Sequence, residues 1–363
     1  MIDFFSPDYS TARDRFRTAT LSNGGHVESI LLNAKGPDGG DLTVDIGWFG
    51  DPGPRRALIH SSGLHGVEGF AGSAVQLQWL EQGIPNLPPD SAIVLVHAMN
   101  PFGMAWLRRA NENNVDLNRN FLSADEEYSG APEKYAQLDS WLNPESPPSS
   151  EFFRVQAWFH ALRCGPSSFR RALTAGQYDF PRGLSFGGKQ HVQTTRRFQL
   201  YISGRLAWAD RLVAIDVHTG PGKFGVDRLF VDGEGDRAAN AAEMQLAYGD
   251  PVQQVDESQT RGSLDQLYRR MFPAAKLLFT AQKFGSCSEL EALAALRAEN
   301  RQHHFGNPGI DEPAKAQLLK TFCPVNERWR ETILARGQEV IEQAATLAFE
   351  PPTQSGTPAA FER

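Results

Sequence analysis

Residues 57–80 read ALIHSSGLHGVEGFAGSAVQLQWL. The apolar run Ala57–Ile59 breaks at Ser61, Ser62 and Gly63, and an apolar pattern of helical period begins just after Glu68, so the stretch reads as a strand, a loop and a helix. His65 and Glu68 fall at i and i+3 on the connecting turn. An imidazole and a carboxylate so spaced can point the same way, and both are good ligands for a first-row metal ion. A purely structural alternative also accounts for the pair: His65 closes the loop and Glu68 sits in the first turn of a helix, where a carboxylate is favoured. A third residue far downstream strengthens the metal reading. In LVAIDVHTG, residues 212–220, an apolar run ends at His218 before Thr219 and Gly220 leave the sheet. Ligands of open α/β sheets gather at the carboxyl ends of strands, where both histidines are expected. Two histidines and one carboxylate leave zinc's fourth position open, as in a catalytic site.

The chain has 363 residues, enough for one large domain, and a formal net charge of -7, which argues against nucleic acid or an anionic membrane as a partner. The first 25 residues intersperse Asp3, Asp8, Arg13 and Asp14 and hold no signal-peptide apolar segment. No apolar run approaches the ~18 to 20 residues of a membrane helix, so the expected location is the cytoplasm. Cys164, Cys287 and Cys323 are odd in number and widely spaced, the pattern of reduced thiols.

Along the chain, a short helix is expected at Ser10–Thr20 and a hairpin from His26–Leu32 and Asp41–Phe49 across KGPDGG. AIVLVHAMN, residues 92–100, is a strand buried on both faces, with His97, like His60, expected as a hydrogen-bonded core histidine. It empties into residues 101–121, which gather Arg108, Arg109, Asn111, Asn118 and Arg119 in one loop suited to gripping a carboxylate. The same arginines could instead form surface ion pairs with Glu112 and Asp116. Residues 123–150, acidic and then rich in Pro and Ser, read as a solvated insertion. Helical patterns follow at Glu151–Cys164 and Thr194–Leu212. Further helices are expected at Arg237–Tyr248, Ser263–Met271 and Leu290–Asn300, with two more between Pro313 and Phe349, and a strand at Ala275–Thr280. The tail 351–363 is expected to fray. Two motifs are decoys. Gly183–Gly187 matches G-x-S-x-G but lacks the strand before and helix after that a nucleophile elbow requires. Gly220–Gly225 matches G-x-G-x-x-G but precedes strand-like DRLFV, which excludes a dinucleotide site.

The pieces HGVE (His65–Glu68), NPFG (Asn100–Gly103), WLRRAN, DLNRNF (Asp116–Phe121) and DVHTG (Asp216–Gly220) stand in an order and spacing that resembles the zinc carboxypeptidase superfamily. That superfamily includes carboxypeptidase A-like enzymes and the succinylglutamate desuccinylase and aspartoacylase group. From FFSPDYSTARDRF through GLHGVEGFAGSA to ALRAENRQHHFG the chain is similar to a bacterial branch whose function is not established, over nearly its whole length. The resemblance implies one α/β domain over residues 1–350, built on a mixed, mostly parallel twisted sheet of about eight strands flanked by helices. It implies zinc on His65, Glu68 and His218, with Arg109, or Arg108 beside it, polarising the scissile carbonyl. Asn118 and Arg119 would hold a carboxylate of a small-molecule or short-peptide substrate.

One departure divides the functional expectation. The branch normally carries a catalytic glutamate in an E-F-G-T stretch after the last core strand, where this chain reads Lys283, Phe284, Gly285 and Ser286. Glu289 and Glu291 are the nearest carboxylates, and Glu289, just beyond the expected turn at Phe284–Ser286, is the candidate for the base. The leading expectation is a zinc-dependent hydrolase of an amide bond next to a carboxylate, as in a peptide C-terminus or an N-acyl amino acid. The alternative is a metal-containing pseudoenzyme that binds carboxylates or peptide ends. A serine hydrolase has only the misplaced Ser185 in its favour.

Overall fold

Ala57–Ile59, Ala92–Val96 and Leu212–Ile215 are apolar at consecutive positions, and such strands are stable where helices cover both faces of their sheet. In the computed structural model, which describes residues 3–149, 151–232, 238–249, 252–255, 260–307 and 309–350, all three lie in the middle of one eight-stranded sheet. Its strands are β1 (His26–Lys35), β2 (Asp41–Gly50), β3 (Arg56–Ser62), β4 (Ser91–His97), β5 (Arg211–Pro221), β6 (Asp227–Asp232), β7 (Val252–Val255) and β8 (Lys276–Cys287). They lie in the order β1-β2-β4-β3-β5-β8-β6-β7. The centre, β4-β3-β5-β8, is parallel, and the antiparallel pairings are β1 with β2, β2 with β4 and β6 with β8.

Alternate strand residues feed two core layers. On one face Leu58, Ile93, Val213 and Ile215 meet α1 (Tyr9–Ser22), α2 (Gly69–Gln82), α8 (Ala238–Tyr248) and α12 (Glu327–Phe349). On the other, Ile59, Val94, Ala214 and Phe279 meet α7 (Gln193–Arg205) and α9 (Leu264–Met271). From β3 the chain passes through α2 to β4 on one side, while β5 pairs with β3 on the other. Connections therefore diverge at β3, leaving a crevice at the carboxyl ends of β3 and β5. His60 and His97 are core histidines: His60 lies 3.2 Å from the Gln76 amide, and His97 lies 3.0 Å from Ser73 Oγ and stacks on Phe16.

Three expectations change in detail. The helix expected to run to Leu212 stops at Arg205, because the backbone N–H groups of Asp210 and Arg211 donate to Arg55 O and begin β5. The strand expected at Ala275–Thr280 continues to Cys287, so Phe284–Ser286 is strand and not turn. Its partner β5 also runs on, pairing His218 with Lys283 and Gly220 with Gly285. Residues 123–149 are not solvated throughout. They hold α4 (Tyr135–Leu142), whose Tyr135, Leu138, Trp141 and Leu142 are buried against α5 (Phe153–Cys164) and α6 (Pro166–Thr174). The tail 351–363 lies outside the described residues. Among the described residues no helix is long and apolar enough to cross a membrane, and the three cysteines are free thiols.

Candidate metal centre

The loop after β3 turns at Gly63, whose φ of +71° suits glycine, and enters a single 3-10 turn, Gly66–Glu68, that leads into α2. The turn docks against the arginine-bearing loop: Gly66 N–H donates to Arg109 O and Val67 N–H to Arg108 O, at 3.1 and 3.0 Å. A side chain at Gly66 would put its Cβ 2.0 Å from the Gly103 carbonyl carbon and 2.4 Å from Arg108 O. HGVE and NPFG are thus two sides of one backbone contact. Asn100 completes it, capping α3 (Pro101–Ala105) through Gly103 N–H while its amide donates to Arg109 O at 3.1 Å.

This packing aims three ligand atoms at one point. His65 Nδ1 lies 3.1 Å from Glu68 Oε1 and 3.2 Å from His218 Nδ1, and His218 Nδ1 lies 3.2 Å from Glu68 Oε2. Donors ~2.1 Å from a tetrahedral zinc ion stand ~3.4 Å from one another, so the cluster fits that ion with little movement. The outer nitrogens fit it as well. His65 Nε2 is 3.1 Å from Asp116 Oδ1 and His218 Nε2 is 2.7 Å from Asp216 Oδ2, the carboxylate-histidine arrangement that leaves the inner nitrogen free to ligate. Asp216 is itself fixed by Ser61 Oγ at 2.7 Å, and Glu68 Oε2 accepts from Thr219 N–H at 3.0 Å.

Electrostatics follow from this crowding. Burial alone would raise the carboxyls of Glu68 and Asp116, but His65 and Arg109 beside both hold them well below the ordinary range. Burial opposes a charged His218, yet Asp216 and Glu68 outweigh it and push the ring up to about 9. Metal and proton therefore compete for His218 Nδ1.

Arg109 reaches into the cluster, its Nη1 2.5 Å from Glu68 Oε1 and its Nη2 2.8 Å from His65 Nε2. A neutral His65 ligating through Nδ1 carries its proton on Nε2 and gives it to Asp116, so it cannot also accept from Arg109. With an ion held by His65 Nδ1 the contact of Arg109 with His65 Nε2 would be lost, and Arg109 also borders the adjoining crevice. That space is lined by Arg109, Asp116, Leu184, Ser185 and Leu296. It adjoins a second that reaches Tyr135, Leu173 and Leu293.

The other expected site residues separate. Arg108 is buried: its Nε donates to Glu299 at 2.7 Å and its Nη2 to Asn114 at 3.0 Å, a structural role. Asn118 and Arg119 lie on the turn capped by Asp116, but Asn118 Oδ1 accepts from Leu264 N–H, and Arg119 donates to the carbonyls of Asn118 and Thr174 at 2.7 and 2.6 Å. Glu289 opens α10 (Glu289–Phe305) with 67% of its side chain exposed and pairs with Arg170 at 3.1 Å. Glu291 is occupied in the capping box with Ser288. Ser185 has no helix after it, and its Oγ donates to Leu173 O at 3.4 Å. Asp116 and Asp216 were not expected as histidine partners. Asp216 carried a signal, since a residue two before His218 on a strand shares its face.

The sheet and the helices around it have the carboxypeptidase A-like fold. Carboxypeptidase A from Helicoverpa armigera superposes with a TM-score of 0.50 at 12% identity, covering 97% of this chain and 76% of that one. Weaker likenesses include a succinylglutamate desuccinylase from Silicibacter, with TM-score 0.42, 16% identity, and 78% and 67% of the two chains covered. Another is the murein-tripeptide amidase MpaA from Escherichia coli O157, with TM-score 0.36, 18% identity, and 79% and 92% covered. The chain belongs to DUF2817, a family described as protein of unknown function, whose model matches residues 5–336. No curated protein matches its sequence.

Proposed function

We propose that the protein is a zinc-dependent hydrolase acting in the cytoplasm on an amide bond next to a carboxylate, in a short peptide or an N-acyl amino acid. The observation that carries this reading is the cluster of His65 Nδ1, Glu68 and His218 Nδ1, with each outer ring nitrogen on an aspartate. Zinc bound there supplies Lewis acidity, polarising a carbonyl and making water a usable nucleophile near neutral pH. Asp116 and Asp216 orient the two rings. Arg109, with 27% of its side chain exposed, turns from Glu68 to the carbonyl oxygen and stabilises the charge that develops there. Asn118 and Arg119 hold the substrate carboxylate, for which Arg119 must turn one N–H from a backbone carbonyl. Glu289 accepts the proton of the attacking water after leaving Arg170.

Lys283, in register with His218, favours a second reading in which the site binds carboxylates or peptide ends without turnover. Zinc-reconstituted protein assayed on a panel of N-acyl amino acids and short peptides separates the two. The hydrolase reading predicts turnover that drops by about 10² or more in Glu289→Gln with zinc retained. The binding reading predicts an inert wild type and gain of activity in Lys283→Glu. An active wild type indifferent to Glu289→Gln overturns the base assignment.

A further inference from the structure

Lys283 is the neighbour of His218 across the β5-β8 pairing, and paired residues of parallel strands project from the same face about 5 Å apart. Its stem runs beside Gly220, where an added Cβ would lie 3.8 Å from Lys283 Cε. The ammonium makes no hydrogen bond or ion pair with a described residue, although Glu68 and Arg109 both lie within its electrostatic range and burial lowers its pKa. Every acid of the cluster is already committed: Glu68 to both histidines, Arg109 and Thr219, Asp116 to His65 and Asn118, and Asp216 to His218 and Ser61. The other nearby cations are engaged, Arg108 by Glu299 and Arg119 by two backbone carbonyls. The crevice beyond Arg109 is walled by Leu173, Leu184, Leu293 and Leu296.

We propose that Lys283 is the anchor for a ligand carboxylate beside the triad. A carboxylate there gives the part-buried ammonium a partner that no described residue supplies. This rests on the metal-site reading above only for the place of His218 in the cleft, and the two can fail separately.

The probes are 3-phenylpropanoate and its uncharged isostere 3-phenylpropanamide, titrated calorimetrically into zinc-loaded and metal-free wild type, Lys283→Met and Lys283→Arg, with the zinc content of each sample measured. Lys283→Met is expected to weaken the carboxylate by about tenfold or more, the scale of one charged hydrogen-bonded contact, and to leave the amide within about twofold. Lys283→Arg should keep most of the affinity. Equal carboxylate affinity in wild type and Lys283→Met, or a wild type with no preference for the acid over the amide, would each overturn the assignment. Absence of zinc from the wild type would overturn the metal reading alone, because the metal-free titration still decides the role of Lys283.

Discussion

The two arginines of WLRRAN should fail in different ways, and Arg108→Met is the sharper case. The Arg108 guanidinium is buried with Nε 2.7 Å from Glu299 Oε1 and Nη2 3.0 Å from Asn114 Oδ1. Glu299 is buried too, and its remaining cation is Lys315, 3.7 Å away, which also donates to Trp106 O. Removing one member of a buried pair typically costs 3–5 kcal/mol, because a charge is left without its partner, and Lys315 should hold the loss to about 3 kcal/mol. A second substitution, Glu299→Leu, removes the orphaned carboxylate and should recover part of it, so the double-mutant cycle shows a coupling of more than about 1 kcal/mol. Urea unfolding of zinc-loaded protein measures this. Arg109→Met, whose side chain is part-exposed, should change the unfolding free energy by less than about 1 kcal/mol while lowering turnover or ligand affinity. If Arg108→Met unfolds like wild type and loses function as Arg109→Met does, the roles drawn from the geometry are reversed.

Asp116→Asn should keep the fold but weaken zinc about 10- to 100-fold in a competitive chelator titration, since the amide no longer fixes the His65 tautomer. His60 and His97 are held neutral by burial, with each ring pushed down to about 4. Between the unfolded value near 6.5 and about 4 the unfolded chain binds protons that the fold refuses, so stability falls as pH falls through that window, by up to about 3 kcal/mol per ring. His97→Gln should flatten the decline in denaturant midpoint between pH 6.5 and 4, and an unchanged slope would refute the assignment.

Features written in short, local patterns were legible in the sequence: the β3-turn-α2 stretch around His65 and Glu68, the strand ending in His218, and the hairpin of β1 and β2. Contacts between distant segments were not. Asp116 reaches His65 across 51 residues, and nothing in DLNR marks it as more than a surface acid until Gly66 and Gly103 bring the two loops together. The stretch after Thr280 read as a turn because Gly285 and Ser286 follow Lys283, whereas the continued pairing of β8 with Gly220 of β5 keeps it extended. That difference bears on the site, because it places Lys283 beside His218 and sends Glu289 out to Arg170. The crevice wall was hidden for another reason: α4 and α6 are short, lie among prolines and serines, and bury themselves against each other rather than the sheet.

The central claim, that His65, Glu68 and His218 form one metal site, is tested most directly by elemental analysis of protein reconstituted with zinc and then desalted. Wild type should hold about one zinc per chain, and His65→Ala and His218→Ala should each hold almost none, since two ligands cannot keep the affinity of three. A wild type without zinc, or variants that retain it in full, would contradict the account.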